Sequence, residues 1–511
     1  MPNVDYQTFK SGTDIRGVAV ETEGSPVTLT DEAVSAMAAG FGRWLCGRTG
    51  KTPGALKIAV GHDSRVSAGR IRRAVETALT DMGFTVFDCG LSSTPAMFMI
   101  TVDGGADASV QITASHHPFD RNGLKFFTPD GGLEGSDVAE ILNLAAQGEV
   151  QTAFGGRVIE FDYMPRYAEL LRQMICRALG REEEAAVLSG FHFVVDAGNG
   201  AGGFYATEVL EKLGADISGS QFLEPDGMFP NHIPNPENPD AMESIRKATV
   251  RNCADLGIIF DTDVDRAGCV DAAGEEINRN ALIALAAAIA LEGNEGGTVV
   301  TDSVTSDGLK AFIEQKLGGV HHRFKRGYRN VINEAVRLNQ AGVNAPLAIE
   351  TSGHAALREN YFLDDGAYLI TKIIIKLAVL RAEGRTLDDL IGGLARPAEE
   401  AELRFSILEP DFRPYGERVL SELEAFCKQR PEWEIAGDNR EGLRVSVDGG
   451  QGWFLLRMSV HDPILPMNLE SNLSGGVRKT AAGLLEFFSR FDRLDITPLH
   501  TFLAEKGGAV L

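Results

Sequence analysis

The sequence predicts an α/β protein, and three observations carry that reading. Apolar, β-prone runs alternate with amphipathic helical stretches, the mark of βαβ units around a mostly parallel sheet. The alternation restarts near residues 191 and 298, which suggests three related units. Several of the apolar strands stop abruptly at clustered polar residues, and strand ends are where open α/β sheets do chemistry. At 511 residues the chain is too long for one core and should divide into roughly three or four domains. An apolar content of 44% and a charged content of 24% are those of a soluble globular protein. Lys+Arg 49 against Asp+Glu 72 gives a net charge of −23, which argues against nucleic acid and anionic membranes as partners. An anionic ligand would need a local island of Arg and Lys. The six cysteines lack C-x-x-C spacing, so neither a zinc site nor a disulfide framework is indicated. The start has no hydrophobic signal region, and the longest apolar run, Ala281 to Leu291, is too short to span a bilayer, so a cytoplasmic protein is expected.

Taken in order, SGTDIRG places Arg16 in a glycine-flanked turn. From Thr30, TDEAVSAMAAGFGRWL has an acidic first turn and helical apolar spacing. The next stretch reads as buried strand, polar loop with Asp63 and Arg65, then helix. FTVFDCG is a second strand. DASVQIT is a third, and QITASHHPFDRNGLKFF then leaves the Ser115 hydroxyl on a tight loop, with two histidines, Asn122-Gly123 and Lys125 within ten residues. Serine beside histidine in a loop is common, so this stretch alone is only suggestive.

The pattern restarts with FHFVVDAGNGAGGFYATEVLEKLG, read as strand, glycine-rich turn and helix. AGNGAGG lacks the G-x-G-x-x-G order, so a close-packed turn is favoured over a nucleotide site. A proline-rich loop, EPDGMFPNHIPNPENPDAM, follows. ADLGIIFDTDVDRAG then ends an apolar strand in Asp261, Asp263 and Asp265. An extended backbone places residues i, i+2 and i+4 on one side, and three hard carboxylate oxygens suit Mg²⁺. An EF-hand fails, because Arg266 stands at its glycine position and Ala272 at its glutamate position. A solvated acidic loop is the bland alternative, and mutual repulsion among three carboxylates argues against it.

The third stretch runs from GTVVTDSVTSDGLKAFIEQKLG through FKRGYRN, with Lys325, to APLAIETSGHAALREN. Its strand PLAIE ends in Glu350, Ser352 and His354, groups that suit vicinal sugar hydroxyls or simply cap a strand end. After the helix LITKIIIKLAVLRAEG, LARPAEEAELRF reads as a linker into a last domain. There LRVSVDGGQGWFLL should form two strands joined in hairpin fashion, followed by a polar turn with Arg457, Ser459 and His461.

In this order the polar strand ends resemble the α-D-phosphohexomutase superfamily, that of phosphomannomutase/phosphoglucomutase and phosphoglucosamine mutase, over nearly the whole chain. TASHHP is similar to the family's phosphoserine loop, which makes Ser115 the phosphorylated residue and a metal ligand. DTDVDR resembles the Mg²⁺ loop, with Asp261, Asp263 and Asp265 as ligands and Arg266 beside the substrate. ETSGH resembles the sugar-specificity loop, giving Glu350, Ser352 and His354, and RMSVHDP sits where the phosphate-binding loop belongs. Arg16 in DIRG and Lys125 in NGLKF match segments that approach the reacting hydroxyl, and with His354 they are the expected proton-handling groups. Arg65 and Lys325 complete the expected substrate-binding set. The resemblance implies three related α/β domains, 1–160, 161–294 and 295–398, and a smaller α+β C-terminal domain, 399–511, around a central cleft. It implies interconversion of hexose 6-phosphate and hexose 1-phosphate through a phosphoserine and a bisphosphorylated sugar. Mg²⁺ would be the cofactor, a sugar 1,6-bisphosphate the activator, and the enzyme a monomer or homodimer.

Departures bear on substrate choice. Thr351 stands where phosphoglucosamine mutases tend to have Gln and the mannose/glucose enzymes Met, and Tyr328 stands where some relatives have a histidine. Relatives usually show R-x-S-x-T-E-P-x-x-R in the fourth loop. This chain keeps Arg457, Ser459 and Pro463 but has His461, Asp462 and Pro466 at the threonine, glutamate and second arginine, so an always-charged fork is lost. His461 either replaces part of that grip or caps the turn. Phosphomannomutase/phosphoglucomutase is the leading expectation and phosphoglucosamine mutase the alternative. A non-catalytic sugar-phosphate-binding protein, or a sugar phosphatase in which water intercepts the phosphoryl group, is the reading from another class, and retention of the serine and three aspartates argues against a dead homologue.

Overall fold

A computed structural model describes residues 4–148, 152–181, 186–459 and 462–505. The chain forms two compact units, Met1–Ala290 with Ser352–Leu390, and Leu291–Thr351 with Ile391–Leu511.

In the first unit the larger sheet runs in the order Lys10–Ser11, Asp14–Val18, Arg121–Thr128, Ala108–Ile112, Lys57–His62, Thr85–Leu91 and Arg157–Glu160. The pairs from Ala108–Ile112 to Arg157–Glu160 are parallel, as strand-helix alternation predicts. The other half is antiparallel. Only residues 113–120 join Ala108–Ile112 to Arg121–Thr128, too few for a crossover helix, so the sheet is mixed where a mostly parallel one was expected. Helices Asp31–Thr49, Ala68–Asp81 and Gly135–Gln147 pack on it over Ile58, Val60, Val110 and Phe126. Thr30 caps the first of them, accepting from the Ala33 N–H at 3.2 Å. The second sheet of this unit pairs Phe193–Asp196 parallel to Leu256–Phe260, which then turns back antiparallel into Ala267–Asp271 through residues 261–266.

In the second unit Val320–Arg323, Thr298–Thr301 and Leu347–Ile349 are mutually parallel. The C-terminal sheet is antiparallel, in the order Glu434–Ile435, Leu443–Val447, Gly452–Leu456, Ile464–Ser471, Glu399–Ile407 and Leu494–Asp495. Helices Phe412–Lys428 and Gly476–Phe488 close its core around Phe405, Val419, Leu456 and Phe488. DGGQG does connect two antiparallel strands. The expected linker is in part a central strand: Glu399–Ile407 buries Ala401, Leu403, Phe405 and Ile407 and exposes the alternate residues Glu402, Arg404 and Ser406. Its charged outer face is what gave it the look of a linker.

Two of the expected α-helices are wound differently. Tyr205–Leu210 and Phe312–Lys316 are π-helical, at comparable places in the second and third α/β stretches. The three turns singled out by sequence also share one backbone device. Thr113-Ala114-Ser115-His116, Thr262-Asp263-Val264-Asp265 and Thr351-Ser352-Gly353-His354 each follow a buried strand, and the residue two after the threonine has positive φ: 51° at Ser115, 68° at Val264 and 92° at Gly353. In the first and third, the threonine hydroxyl donates to an aspartate just past the neighbouring parallel strand. Thr113 reaches Asp63 and Thr351 reaches Asp302, both at 2.7 Å. No helix among the described residues is long and apolar enough to cross a membrane, and the six cysteines are free thiols.

Candidate active site

Ser115 sits in the left-handed region of backbone space, a conformation that costs a non-glycine residue of order 1–3 kcal/mol and persists only where the surroundings enforce it. Arg65 is the enforcing group. Its side chain has no solvent exposure and pairs with Asp63 at 3.2 Å. Its guanidinium donates to the carbonyls of Pro118 at 2.7 Å, Arg121 at 2.9 Å and His117 at 2.6 Å, and also to that of Ser115. Arg65 was expected on the substrate; here its guanidinium holds the backbone of the serine loop. Arg16 reaches the same loop, donating to the Thr113 carbonyl at 2.9 Å and to Asp14 at 2.7 Å.

The Ser115 hydroxyl meets the aspartate loop. It donates to Asp261 Oδ2 at 3.1 Å and accepts from Arg266 Nη2 at 2.7 Å. Arg266 also donates through Nε to Asp261 at 3.0 Å, and its Nη2 approaches His116 Nδ1 at 2.5 Å. The guanidinium, helped by burial, pushes His116 down to about 2, so this ring is a neutral acceptor. His117 is lowered to about 4, by burial first and then by Arg16.

Asp261, Asp263 and Asp265 are all buried, and a ligand atom from each lies within 4.8 Å of the others. Lys125 Nζ stands 3.1 Å from Asp263 and also pairs with Asp265. Thr94 donates its hydroxyl to Asp263 at 2.5 Å. Asp263 Oδ1 and Asp265 Oδ1 remain buried with no hydrogen-bond partner among the described residues. Burial, then the charge of Asp265, raises Asp261 well above the usual carboxylate range. Burial would raise Asp265 too, but Lys125, His354 and Arg266 outweigh it and hold that carboxyl low. Orphaned buried oxygens on converging carboxylates fit a divalent cation. The turn that aims them is strained at Val264, a β-branched residue at positive φ.

His354 reaches this cluster because Arg266 and His354 form an antiparallel bridge, and Gly353 permits it: a Cβ there would lie 2.7 Å from the Ala267 carbonyl. Its Nδ1 is 2.5 Å from Asp364 and 3.9 Å from Asp265. Burial opposes charge on the ring, but the two carboxylates outweigh it and lift the imidazole to about 9. Ser352 is buried in the same unit. Sequence reasoning missed Thr94 and Asp364. Asp364 carries one visible signal, an acid doubled with Asp365, which alone is enough to cap the next helix by accepting from the Tyr368 N–H at 2.8 Å.

The second unit holds Lys325, Glu350, Arg457 and Ser459. Glu350 accepts from the Gly327 N–H at 2.6 Å, and Lys325 is exposed. Arg457 is buried, its Nε has no hydrogen-bond partner among the described residues, and burial lowers its pKa while Glu441 opposes the shift. Ser459 accepts from the Asp462 N–H at 3.2 Å. His461 lies outside the described residues.

Three family models match in sequence: phosphoglucomutase/phosphomannomutase α/β/α domain I over residues 7–151, domain II over 165–274 and domain III over 278–397. A phosphoglucomutase of Neisseria gonorrhoeae is 30% identical over 94% of this chain and 96% of its own length. A phosphomannomutase/phosphoglucomutase of Pseudomonas aeruginosa is 27% identical over 90% of each. The crystal structure of a phosphoglucomutase/phosphomannomutase family protein from Burkholderia thailandensis superposes with a TM-score of 0.76 at 25% identity, covering 95% of this chain and 96% of that one. With the serine and acidic loops placed as described, these matches run almost end to end, and the chain belongs to the phosphoglucomutase/phosphomannomutase family of the α-D-phosphohexomutase superfamily.

Proposed function

We propose that the enzyme, a phosphohexomutase by family, takes glucose and mannose phosphates as substrates and passes the phosphoryl group through Ser115. The observation that carries this reading is the Ser115 hydroxyl held between Arg266 and Asp261, 2.7 and 3.1 Å away, beside three converging carboxylates. Phosphoryl transfer needs positioning and charge neutralisation more than covalent chemistry from the protein, and this arrangement supplies both. Arg266 and Arg65 fix the hydroxyl and its loop. Asp261, Asp263 and Asp265 would hold Mg²⁺, which neutralises charge on the transferring group when bound. Lys125, Arg16 and His354 would handle the proton of the accepting sugar hydroxyl.

When the phosphoryl group leaves Ser115 for a sugar hydroxyl, a bisphosphorylated sugar forms. Returning its other phosphate to Ser115 completes the isomerisation, so a sugar 1,6-bisphosphate primes the enzyme. Glu350 and Ser352 would grip sugar hydroxyls, and Arg457, with Ser459, the phosphate that is not reacting. Lys325 would add charge for the same anion. The names of the relatives support glucose and mannose, and the net charge of −23 fits neither nucleic acid nor an anionic membrane as a partner.

Coupled assays with glucose 1-phosphate, mannose 1-phosphate and glucosamine 6-phosphate, each with a catalytic amount of its bisphosphate, test the assignment. The first two should turn over best. Preference for glucosamine 6-phosphate would reassign the sugar, and release of inorganic phosphate from all three would make the protein a phosphatase.

A further inference from the structure

The proline-rich loop 224–238 has no part in the chemistry above, yet it touches both guanidinia that bracket Ser115. Phe229 places its ring 5.3 Å from the Arg65 guanidinium carbon. Gly227 packs so close to the backbone beside Arg65 that a Cβ there would lie 2.4 Å from Ser64 O and Val66 N. At the other end Asn235 Oδ1 accepts from Arg266 Nη1 at 3.4 Å, and the charge of Glu237 acts on the same guanidinium. Between these contacts stands His232, whose side chain is 3% exposed. Its Nε2 lies 3.0 Å from Asp196 Oδ2, and its Nδ1 lies 3.0 Å from the Ile233 carbonyl.

The Ile233 carbonyl can only accept, and Asp196 also accepts from Gly198 N at 2.9 Å and Gln221 Nε2 at 2.7 Å. A ring protonated on both nitrogens would satisfy both partners. Asn231 adds a second tie, donating to Asn199 at 2.8 Å, while Asn199 donates to the Glu224 carbonyl at 2.9 Å. In the middle of the three related turns Thr262 has no hydrogen-bond partner for its hydroxyl among the described residues, and the aspartate of the neighbouring strand is taken by His232. In the other two turns a threonine–aspartate bond does the latching.

We propose that His232 is a positioning residue: as an imidazolium bound to Asp196 and to Ile233 O, it clamps loop 224–238 so that Phe229 and Asn235 hold Arg65 and Arg266 against Ser115. The clamp rests on Ser115 being the phosphoryl carrier. The charged groups that act on the ring are Asp196, from the strand Phe193–Asp196, and Asp240, from the helix Pro239–Arg251; with the carbonyl bond they outweigh the opposing effect of burial and raise the histidine above 6.5. A raised histidine is charged throughout the acid side, so the clamp is complete below 6.5 and opens as pH climbs through the folded-state value.

The test follows transfer of phosphate from glucose 1,6-bisphosphate to the full-length protein by intact mass and by rate, across pH. The parent should show an alkaline fall in transfer rate. His232→Gln, which donates from one nitrogen and carries no charge, should transfer about 10-fold more slowly on the acid side, keep its hexose phosphate KM within about 2-fold, and lack the alkaline fall. Phe229→Leu leaves the histidine in place and should slow transfer about 3-fold or more with the alkaline fall retained. Nitrogen NMR of the histidine rings should find both His232 nitrogens protonated at about pH 6. A neutral His232 at that pH, or a His232→Gln protein with the parent's rate and pH profile, overturns the clamp. If His232→Gln does not fold, a Phe229→Leu protein with the parent's rate overturns it. A parent that takes up no phosphate on Ser115 instead overturns the function on which the clamp rests.

Discussion

Arg266 Nη2 stands 2.7 Å from Ser115 Oγ, although 151 positions separate the two residues. A guanidinium in that place is aimed at whatever the hydroxyl carries, and it is fixed before any substrate arrives by its own bonds to Asp261.

Ser115→Ala should therefore abolish uptake of phosphate from a sugar bisphosphate while the thermal transition stays within a few degrees of the parent's. The hydroxyl's bonds are to an aspartate and an arginine that already hold each other. Intact-mass analysis with melting curves reads both, and phosphate on the alanine variant would assign the carrier elsewhere.

Asp263→Asn keeps the acceptor that Thr94 and Lys125 use and removes one charge from three crowded carboxylates. Without divalent ions the variant should melt no lower than the parent, and its mutase activity should fall at least about 100-fold, because the metal loses an anionic ligand. The parent should lose activity in EDTA and recover it with Mg²⁺. Full parent activity in excess EDTA would remove the metal from the mechanism.

Arg457→Ala removes a buried cation whose Nε has no hydrogen-bond partner among the described residues. If that group grips the non-reacting phosphate, the loss of a charge-assisted contact of about 1.5–3 kcal/mol should raise the KM for hexose phosphate roughly 10- to 150-fold, with a smaller change in kcat. Steady-state kinetics at fixed bisphosphate decides it, and an unchanged KM would exclude Arg457 from the grip.

Glu470, 7% exposed on the strand Ile464–Ser471, has its carboxyl pushed up to about 7, chiefly by burial. A raised carboxyl favours the protonated form in the fold, so its contribution is intact below the unfolded value of about 4.5 and is lost as pH rises through about 7. Glu470→Gln mimics the protonated form. It should match the parent near pH 4 and be more stable above pH 8 by up to about 3 kcal/mol, read as a higher unfolding midpoint for the C-terminal domain. Equal midpoints at high pH would refute this.

How legible the site was depended on whether its residues are neighbours in sequence. Ser115, the three aspartates and His354 could be found because each lies where an apolar run stops at clustered polar residues, a pattern that local sequence displays. Asp364 could not, because it meets His354 ten residues later through the turn of the chain. Thr94 meets Asp263 from 169 positions away. Arg65 was recognised as a cation in a polar loop, but its direction is set by packing, and packing turned it toward four carbonyls. The fold was readable to the same extent: strand-helix alternation gave the α/β layers, while short connections made half of the first sheet antiparallel and an exposed charged face hid the strand Glu399–Ile407.

The three Thr-x-x-x turns keep one backbone shape while displaying a hydroxyl, a set of carboxylates and an imidazole. In the first turn the positive-φ residue is the serine itself, whereas in the other two Asp265 and His354 stand one position after it, so one kind of kink serves two different points of aim.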